Sequence, residues 1–149
     1  MGIDIWGADI QNAYISAPSS ERYWIICGPD FGSEESGKKA IVKRALYGMK
    51  SAGRDFRNHL RDYMSHLGYH PCCADPDLWM RLGKLKNGVD YYEYILLYVD
   101  DCLVVSDSPG ESLQKLGKYF RLKKGSVGPP TLYLGEKITK VGLPNGIDA

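Results

Sequence analysis

Residues 95 to 105, ILLYVDDCLVV, constrain this chain more than any other stretch. Apolar side chains run up to Asp100 and Asp101 and continue straight out again. Runs rich in Val, Ile and Leu read as buried strands. Two carboxylates at the junction of two such strands repel each other and cost desolvation energy. A hairpin tolerates that pair if it holds it at a turn and a cation is supplied. The alternative is a solvated Asp-Asp turn, but flanks this apolar, with Tyr98 two residues before the pair, favour a divalent-metal site at a hairpin tip.

The chain has 149 residues, enough for one domain with a core. No apolar run reaches the roughly 18 residues of a membrane span, so no membrane partner is expected. The start, MGIDIWGADIQ, lacks the basic and apolar regions of a signal peptide. Met1-Gly2 begins like an acylation signal, but Trp6 stands where Ser or Thr is needed. Cys27, Cys72, Cys73 and Cys102 have no zinc spacing and read as reduced, mostly buried thiols of an intracellular protein. His59, His66 and His70 read as helix-surface or loop residues.

Net charge is only +1, but its distribution is uneven. Residues 38 to 61 hold eight Lys or Arg against one acid, and residues 115 to 124 hold five and none. Residues 62 to 114 hold nine acids and three bases. Basic blocks around an acidic centre suit a polyanion gripped at its flanks while metals bind in the middle. Ordinary solvated surface would give the same counts.

Periodicity supplies the elements. Residues 3 to 10 predict a strand ending near Asp9, and residues 12 to 17 a tight turn or short helix stopped by Pro18. Residues 19 to 37 are polar around a short strand at Tyr23–Cys27, and Ala40–Ala45 predicts another strand. From Arg54 to Leu67 the positions Phe56, Leu60, Met64 and Leu67 form one apolar stripe, and Gly68 stops that helix. Residues 73 to 81 predict a strand entered through Asp75-Pro76. Asn87-Gly88 signals a hairpin joining Trp79–Leu85 to Tyr91–Tyr98. Ser108-Pro109 opens a second helix to about Phe120, with Leu113 and Leu116 inward. Residues 121 to 128 predict a basic loop and Leu132–Ile138 a final strand, with Lys140–Val141 returning after a turn. Strand, helix, strand, strand, helix, strand gives an α+β fold: an antiparallel sheet with two helices packed on one face, ferredoxin-like βαββαβ.

Tyr98-Val99-Asp100-Asp101 resembles the metal-binding box of reverse transcriptases. Taken in order, residues 5 to 140 resemble the copia-type (pseudovirus) retrotransposon reverse transcriptase. Asp9-Ile10-Gln11-Asn12-Ala13-Tyr14 matches that family's first motif. Ala45-Leu46-Tyr47-Gly48-Met49-Lys50 matches its second, although the Gln-Ser-Pro-Arg that usually follows is here Ser51-Ala52-Gly53-Arg54. Pro129-Pro130 followed by Leu132-Tyr133-Leu134-Gly135 resembles the hairpin that holds the primer end.

The resemblance implies a polymerase palm with part of the fingers over residues 1 to 149, most of the fingers, the thumb and RNase H lying outside it. It implies transfer of deoxynucleotides to a primer 3′-end on an RNA or DNA template. Such chemistry uses two divalent ions about 3.5–4 Å apart, here Mg²⁺ or Mn²⁺. Two hard cations need about three carboxylates, and the matching residues are Asp9, Asp100 and Asp101. Asn12 and Ala13 match positions whose backbone N–H groups face the triphosphate. Tyr14 matches the aromatic that excludes a 2′-hydroxyl; alone it would read as a core tyrosine. Gly48 and Lys50 lie in the motif that touches template base and nucleotide, and Lys124 matches a lysine proposed to protonate the leaving pyrophosphate. Implied partners are template–primer, deoxynucleoside triphosphates and the rest of a retrotransposon polyprotein. The implied location is a cytoplasmic virus-like particle. The competing expectations are a catalytically inactive retroelement remnant and a nucleic-acid-binding palm module without chemistry.

Overall fold

A computed structural model describes residues 2–142; Met1 of the acylation-like start and the last seven positions lie outside them. The chain divides into two compact units, one of residues 1–11 with 63–149 and one of residues 12–62.

The first unit is built on a five-stranded sheet of order β1-β7-β6-β5-β4, every neighbouring pair antiparallel. Its strands are β1 (Asp4–Asp9), β4 (His70–Pro71), β5 (Leu78–Lys84), β6 (Asp90–Tyr98) and β7 (Asp101–Ser106). The long apolar run splits by alternation. Ile95, Leu97, Cys102 and Val104 are buried, while Leu96, Leu103 and Val105 on the opposite face are only half-buried. One face is thus packed and one partly open, as antiparallel sheets allow. Register builds the packed layer row by row: Trp79 faces Ile95, Ile95 faces Val104, and Val104 faces Trp6. Helix α3 (Pro109–Leu116) packs on β1 and β7 through buried Leu113 and Leu116. Phe120 is also buried, edge-on to Tyr63 at 5.3 Å between ring centroids.

A charged cluster sits at the far end of the packed face. Glu93 is buried and accepts from Arg81, Tyr69 (3.0 Å), Ser106 (3.0 Å) and Tyr91 (3.2 Å). Burial pushes its carboxyl up, but the Arg81 hydrogen bonds and charge, with Tyr69 and Ser106, outweigh that and hold it below its ordinary value. This fully partnered network joins β5, β6 and β7.

The second unit holds α1 (Ala13–Ser16), most of α2 (Ala52–His66), and a two-stranded sheet of β2 (Pro18–Ile26) and β3 (Lys39–Arg44). Phe56 and Leu60 of α2 are buried as the stripe predicts, and Arg54, Arg57 and Arg61 are exposed. Buried Asp55 accepts from the Ser20 amide at 3.1 Å and hydroxyl at 2.6 Å, fastening α2 to β2.

Several expectations are corrected. The strand placed at 73 to 81 begins only at Leu78, because Asp75 turns the chain: its side chain accepts from the Asp77 amide and its carbonyl from the Leu78 amide. The second helix ends at Leu116 rather than Phe120. The final strand is a small hairpin, β8 (Leu132–Tyr133) with β9 (Glu136–Lys137), and Lys140–Val141 form no strand. Of the cysteines, Cys27 and Cys102 are buried, Cys72 is half-buried and Cys73 exposed.

Candidate active site

Tyr98 pairs directly with Asp101, so Val99 and Asp100 form a two-residue hairpin loop. Val99 adopts φ 55°, a region in which a β-branched side chain is strained. That loop fixes Asp100 at the tip and Asp101 as the first residue of β7. On the other side of β7, Asp101 faces Asp9, the last residue of β1. Facing residues of neighbouring strands point to the same side of a sheet. The half-open face therefore carries both carboxylates.

Backbone bonding brings them closer still. The Ile10 amide donates to the Asp100 carbonyl at 2.7 Å, tying the end of β1 to the loop. The Asp9 amide donates to Ser126 Oγ at 2.9 Å, and its carbonyl accepts from the Lys123 amide at 2.8 Å. Both peptide groups of Asp9 thus turn away from β7. The Asp9–Asp101 pair is of the narrow, non-hydrogen-bonded kind, in which facing side chains lie closest.

The electrostatics follow. Partial burial first, then the charges of Asp100 and Asp9, raise the Asp101 carboxyl above its ordinary value. Lys123 Nζ lies 3.5 Å from Asp9 Oδ2. Burial, then Asp101, pushes the Cys102 thiol on the packed face up to about 12. Among the described residues no three His, Cys, Asp or Glu side chains are gathered closely enough to hold a metal ion. Like charges with one described cation, Lys123, among them repel and stand apart. The donor set itself, hard carboxylate oxygens under mutual repulsion, is the kind a divalent ion such as Mg²⁺ binds.

A cleft of about 270 Å³ opens on this pair, lined among others by Asp9, Asp101, Ser126, Pro129, Pro130 and Tyr133. Its far wall is the β8–β9 hairpin, turned at Leu134 (φ 49°) and Gly135 (φ 84°). Burial, then nearby Cys102, Asp101, Asp75 and Asp77, pushes the Tyr133 hydroxyl up to about 12, so it stays a proton donor.

The remaining candidates belong to the second unit. Asn12 takes a left-handed conformation (φ 55°, ψ 46°) at the start of α1, and Ala13 is buried. Tyr14 is half-buried, its ring 6.1 Å from Tyr47 and 6.0 Å edge-on from Phe56. Gly48 has φ 92°, a turn that a side chain would strain. Lys50 is exposed.

Comparison with known proteins settles the lineage. The family described as reverse transcriptase (RNA-dependent DNA polymerase) matches residues 2–143. This chain belongs to the reverse transcriptase family. The chain is 27% identical over 146 residues to the retrovirus-related Pol polyprotein from transposon TNT 1-94 of Nicotiana tabacum, covering 94% of this chain and 10% of that protein. It is 28% identical over 119 residues to the corresponding polyprotein from transposon RE1 of Arabidopsis thaliana, covering 77% and 8%. It therefore spans about a tenth of the length of these relatives. These matches agree with the copia-type motifs read from the sequence.

Within this reverse transcriptase chain, two site residues escaped sequence reasoning. Lys123, not Lys124, meets Asp9, and Ser126 fixes the Asp9 amide. Both are more than 110 positions from Asp9, at 114 and 117 residues along the chain. By sequence the loop carrying them is a basic loop whose one singled-out residue is Lys124, with nothing in it tied to Asp9. The structure lays it along the free edge of β1, with bridges between Ile10 and Leu122 and between Gly7 and Gly128.

Proposed function

We propose that this chain is the palm of a copia-type RNA-directed DNA polymerase, with Asp9, Asp100 and Asp101 as its metal ligands. The observation that carries the reading is the narrow cross-strand pairing of Asp9 with Asp101, beside Asp100 at the hairpin tip. Two carboxylates, Asp9 and Asp101, share one open face with Asp100 in the adjoining loop, inside a chain that matches the reverse transcriptase family along nearly its whole length.

Bound there, two divalent ions would activate the primer 3′-oxygen and stabilise charge on the triphosphate and leaving oxygen. The residues of the chain position and compensate. The β6–β7 loop holds Asp100 and Asp101 at a fixed spacing, and the Ile10–Asp100 bond keeps Asp9 beside them. Tyr133 and the β8–β9 hairpin wall the cleft where a primer end would lie. Tyr14 supplies the ring that disfavours a ribose 2′-hydroxyl, and Asn12 and Ala13 offer backbone N–H groups to the triphosphate. Gly48 lets the backbone approach the nucleotide, and Lys50 adds charge toward phosphate. Catalysis of this type is mainly positioning plus electrostatic stabilisation.

The test is primer extension on an RNA template by a polypeptide joining this chain to the flanking segments of a copia-type polymerase. With Mg²⁺ or Mn²⁺ the wild type extends the primer, and Asp100→Asn abolishes extension, since one charge is lost from a site facing two ions and a triphosphate. Extension by Asp100→Asn at near wild-type rate, or extension in excess chelator, contradicts the assignment.

A further inference from the structure

We propose that Lys123 is the resident counter-ion of Asp9, occupying its carboxylate until a divalent ion displaces it. The inference rests on the reading of Asp9 as a metal ligand and adds a residue that the reading does not contain. Of the three aspartates, Asp9 alone is paired with a described cation, Lys123 Nζ at 3.5 Å.

The placement of that ammonium is built into the backbone. The Lys123 amide donates to the Asp9 carbonyl at 2.8 Å, so residue 123 is fixed beside residue 9 whatever its side chain does. Ser126 closes a second link, its hydroxyl accepting from the Asp9 amide and donating to the Lys123 carbonyl at 2.9 Å. The turn between them is completed by Gly125 at φ 80° and by the Ser126 amide on the Lys123 carbonyl. The β1 edge and the 123–126 turn thus hold one carboxylate and one ammonium in register.

The same geometry makes the pair exchangeable. Both side chains are open to solvent, 66% for Lys123 and 42% for Asp9. An ion pair in that setting is weak and easily replaced. A divalent ion carries twice the charge and satisfies Asp101 and Asp100 as well. Lys123 therefore has two effects with one sign. It occupies an Asp9 oxygen, and its charge repels an approaching cation. Each lowers metal affinity, and neither acts once Asp9 has lost its charge and Lys123 has swung into solvent. In the absence of metal the pair lowers the net negative charge that the narrow Asp9–Asp101 contact must bear.

The purified chain is titrated with Mn²⁺ alone, and free Mn²⁺ is read by its electron paramagnetic resonance signal. The variants are Lys123→Gln, Lys124→Gln, Asp9→Asn, and Asp9→Asn combined with each lysine change. Lys124→Gln removes the same charge from the same loop without touching Asp9. Lys123→Gln is expected to bind Mn²⁺ about three- to fivefold more tightly than Lys124→Gln, the range an exposed pair supports. In the Asp9→Asn background the two lysine changes are expected to become equivalent, as a double-mutant cycle requires for a contact made through Asp9. Lys123→Met, which keeps the aliphatic stem, serves as a second variant with the same expectation. Equal affinity of Lys123→Gln and Lys124→Gln, weaker binding by Lys123→Gln, or a Lys123 effect that persists without the Asp9 carboxylate overturns the inference and leaves the ligand assignment standing. No Mn²⁺ binding by either wild type or Lys123→Gln overturns both.

Discussion

Replacing Asp101 by Asn should stabilise the metal-free chain. Asp101 faces Asp9 across a narrow antiparallel pair and adjoins Asp100 in the loop. Like charges directly opposite in a sheet cost about 0.2–1 kcal/mol. The second neighbour and partial burial add to this, while Lys123 on Asp9 offsets part of it. The balance is about 1 kcal/mol. For a chain of this size that corresponds to a rise in Tm of about 2–4 °C. Asparagine keeps the shape and the ladder bonds, so little is lost in exchange. The sign with pH follows from the raised carboxyl. A group titrating higher in the folded than in the unfolded state favours the fold fully below its unfolded value, and that contribution is lost as pH rises through the folded value. The gain from Asp101→Asn should therefore be present at pH 7 and vanish below the ordinary value of 3.8. The assay is thermal unfolding by circular dichroism of both proteins at pH 7 and near the acid limit, in chelator. A lower Tm for Asp101→Asn at pH 7 would mean that Asp101 anchors the fold, and would refute the argument.

Three further outcomes are expected. Tyr14→Ala in the joined polymerase should lower the ratio of kcat/KM for dGTP over GTP; no fall in that ratio would make Tyr14 only a packing partner of Tyr47 and Phe56. Glu93→Gln should cost about 3 kcal/mol in urea unfolding at pH 7, because Arg81 and its partners lose a buried counter-charge. That cost should shrink as pH falls below the ordinary value of 4.5, since a carboxyl held low in the fold gives up its stabilisation as it protonates. The 149-residue chain alone should bind primer–template weakly, with affinity falling steeply with salt, and extend it barely, because a misplacement of about 1 Å costs roughly a hundredfold in rate; robust extension at physiological salt would contradict this.

Local signals were readable where one physical cause dominates. The apolar run around Asp100-Asp101, the Asn87-Gly88 turn and the Phe56–Leu60–Met64 stripe each announce an element through periodicity or turn chemistry, and each forms where expected. By residue type Leu132–Ile138 reads as one strand, because its turn begins at Leu134 in the left-handed region and only Gly135 after it is a turn residue; the hairpin there was indicated by family resemblance alone. Asp75-Pro76 reads as a strand entry, but the Asp75 side chain accepts from the Asp77 amide and makes it a turn, so the strand starts later. The stripe through Leu113 and Leu116 continues to Phe120, yet the helix stops earlier and Phe120 is buried from a turn. Burial was legible there and conformation was not. The pairing of Asp9 with Asp101 and the clamp by Lys123 and Ser126 are long-range contacts. The first was reached only through resemblance to a family, and the second not at all. No local pattern marks which lysine of a basic loop will meet a carboxylate on a distant strand.

The central claim is that Asp9, Asp100 and Asp101 bind divalent metal at one place, and it can be tested without turnover. Fe²⁺ loaded onto the purified chain with ascorbate and peroxide generates hydroxyl radicals that cut the backbone beside the bound ion, and mass spectrometry reads the cut positions. The account predicts cuts clustered around residues 9 and 100–101, suppressed together by excess Mg²⁺ and by Asp100→Asn. Cuts confined to other positions, or cuts at these two that Mg²⁺ and Asp100→Asn leave unchanged, would contradict it.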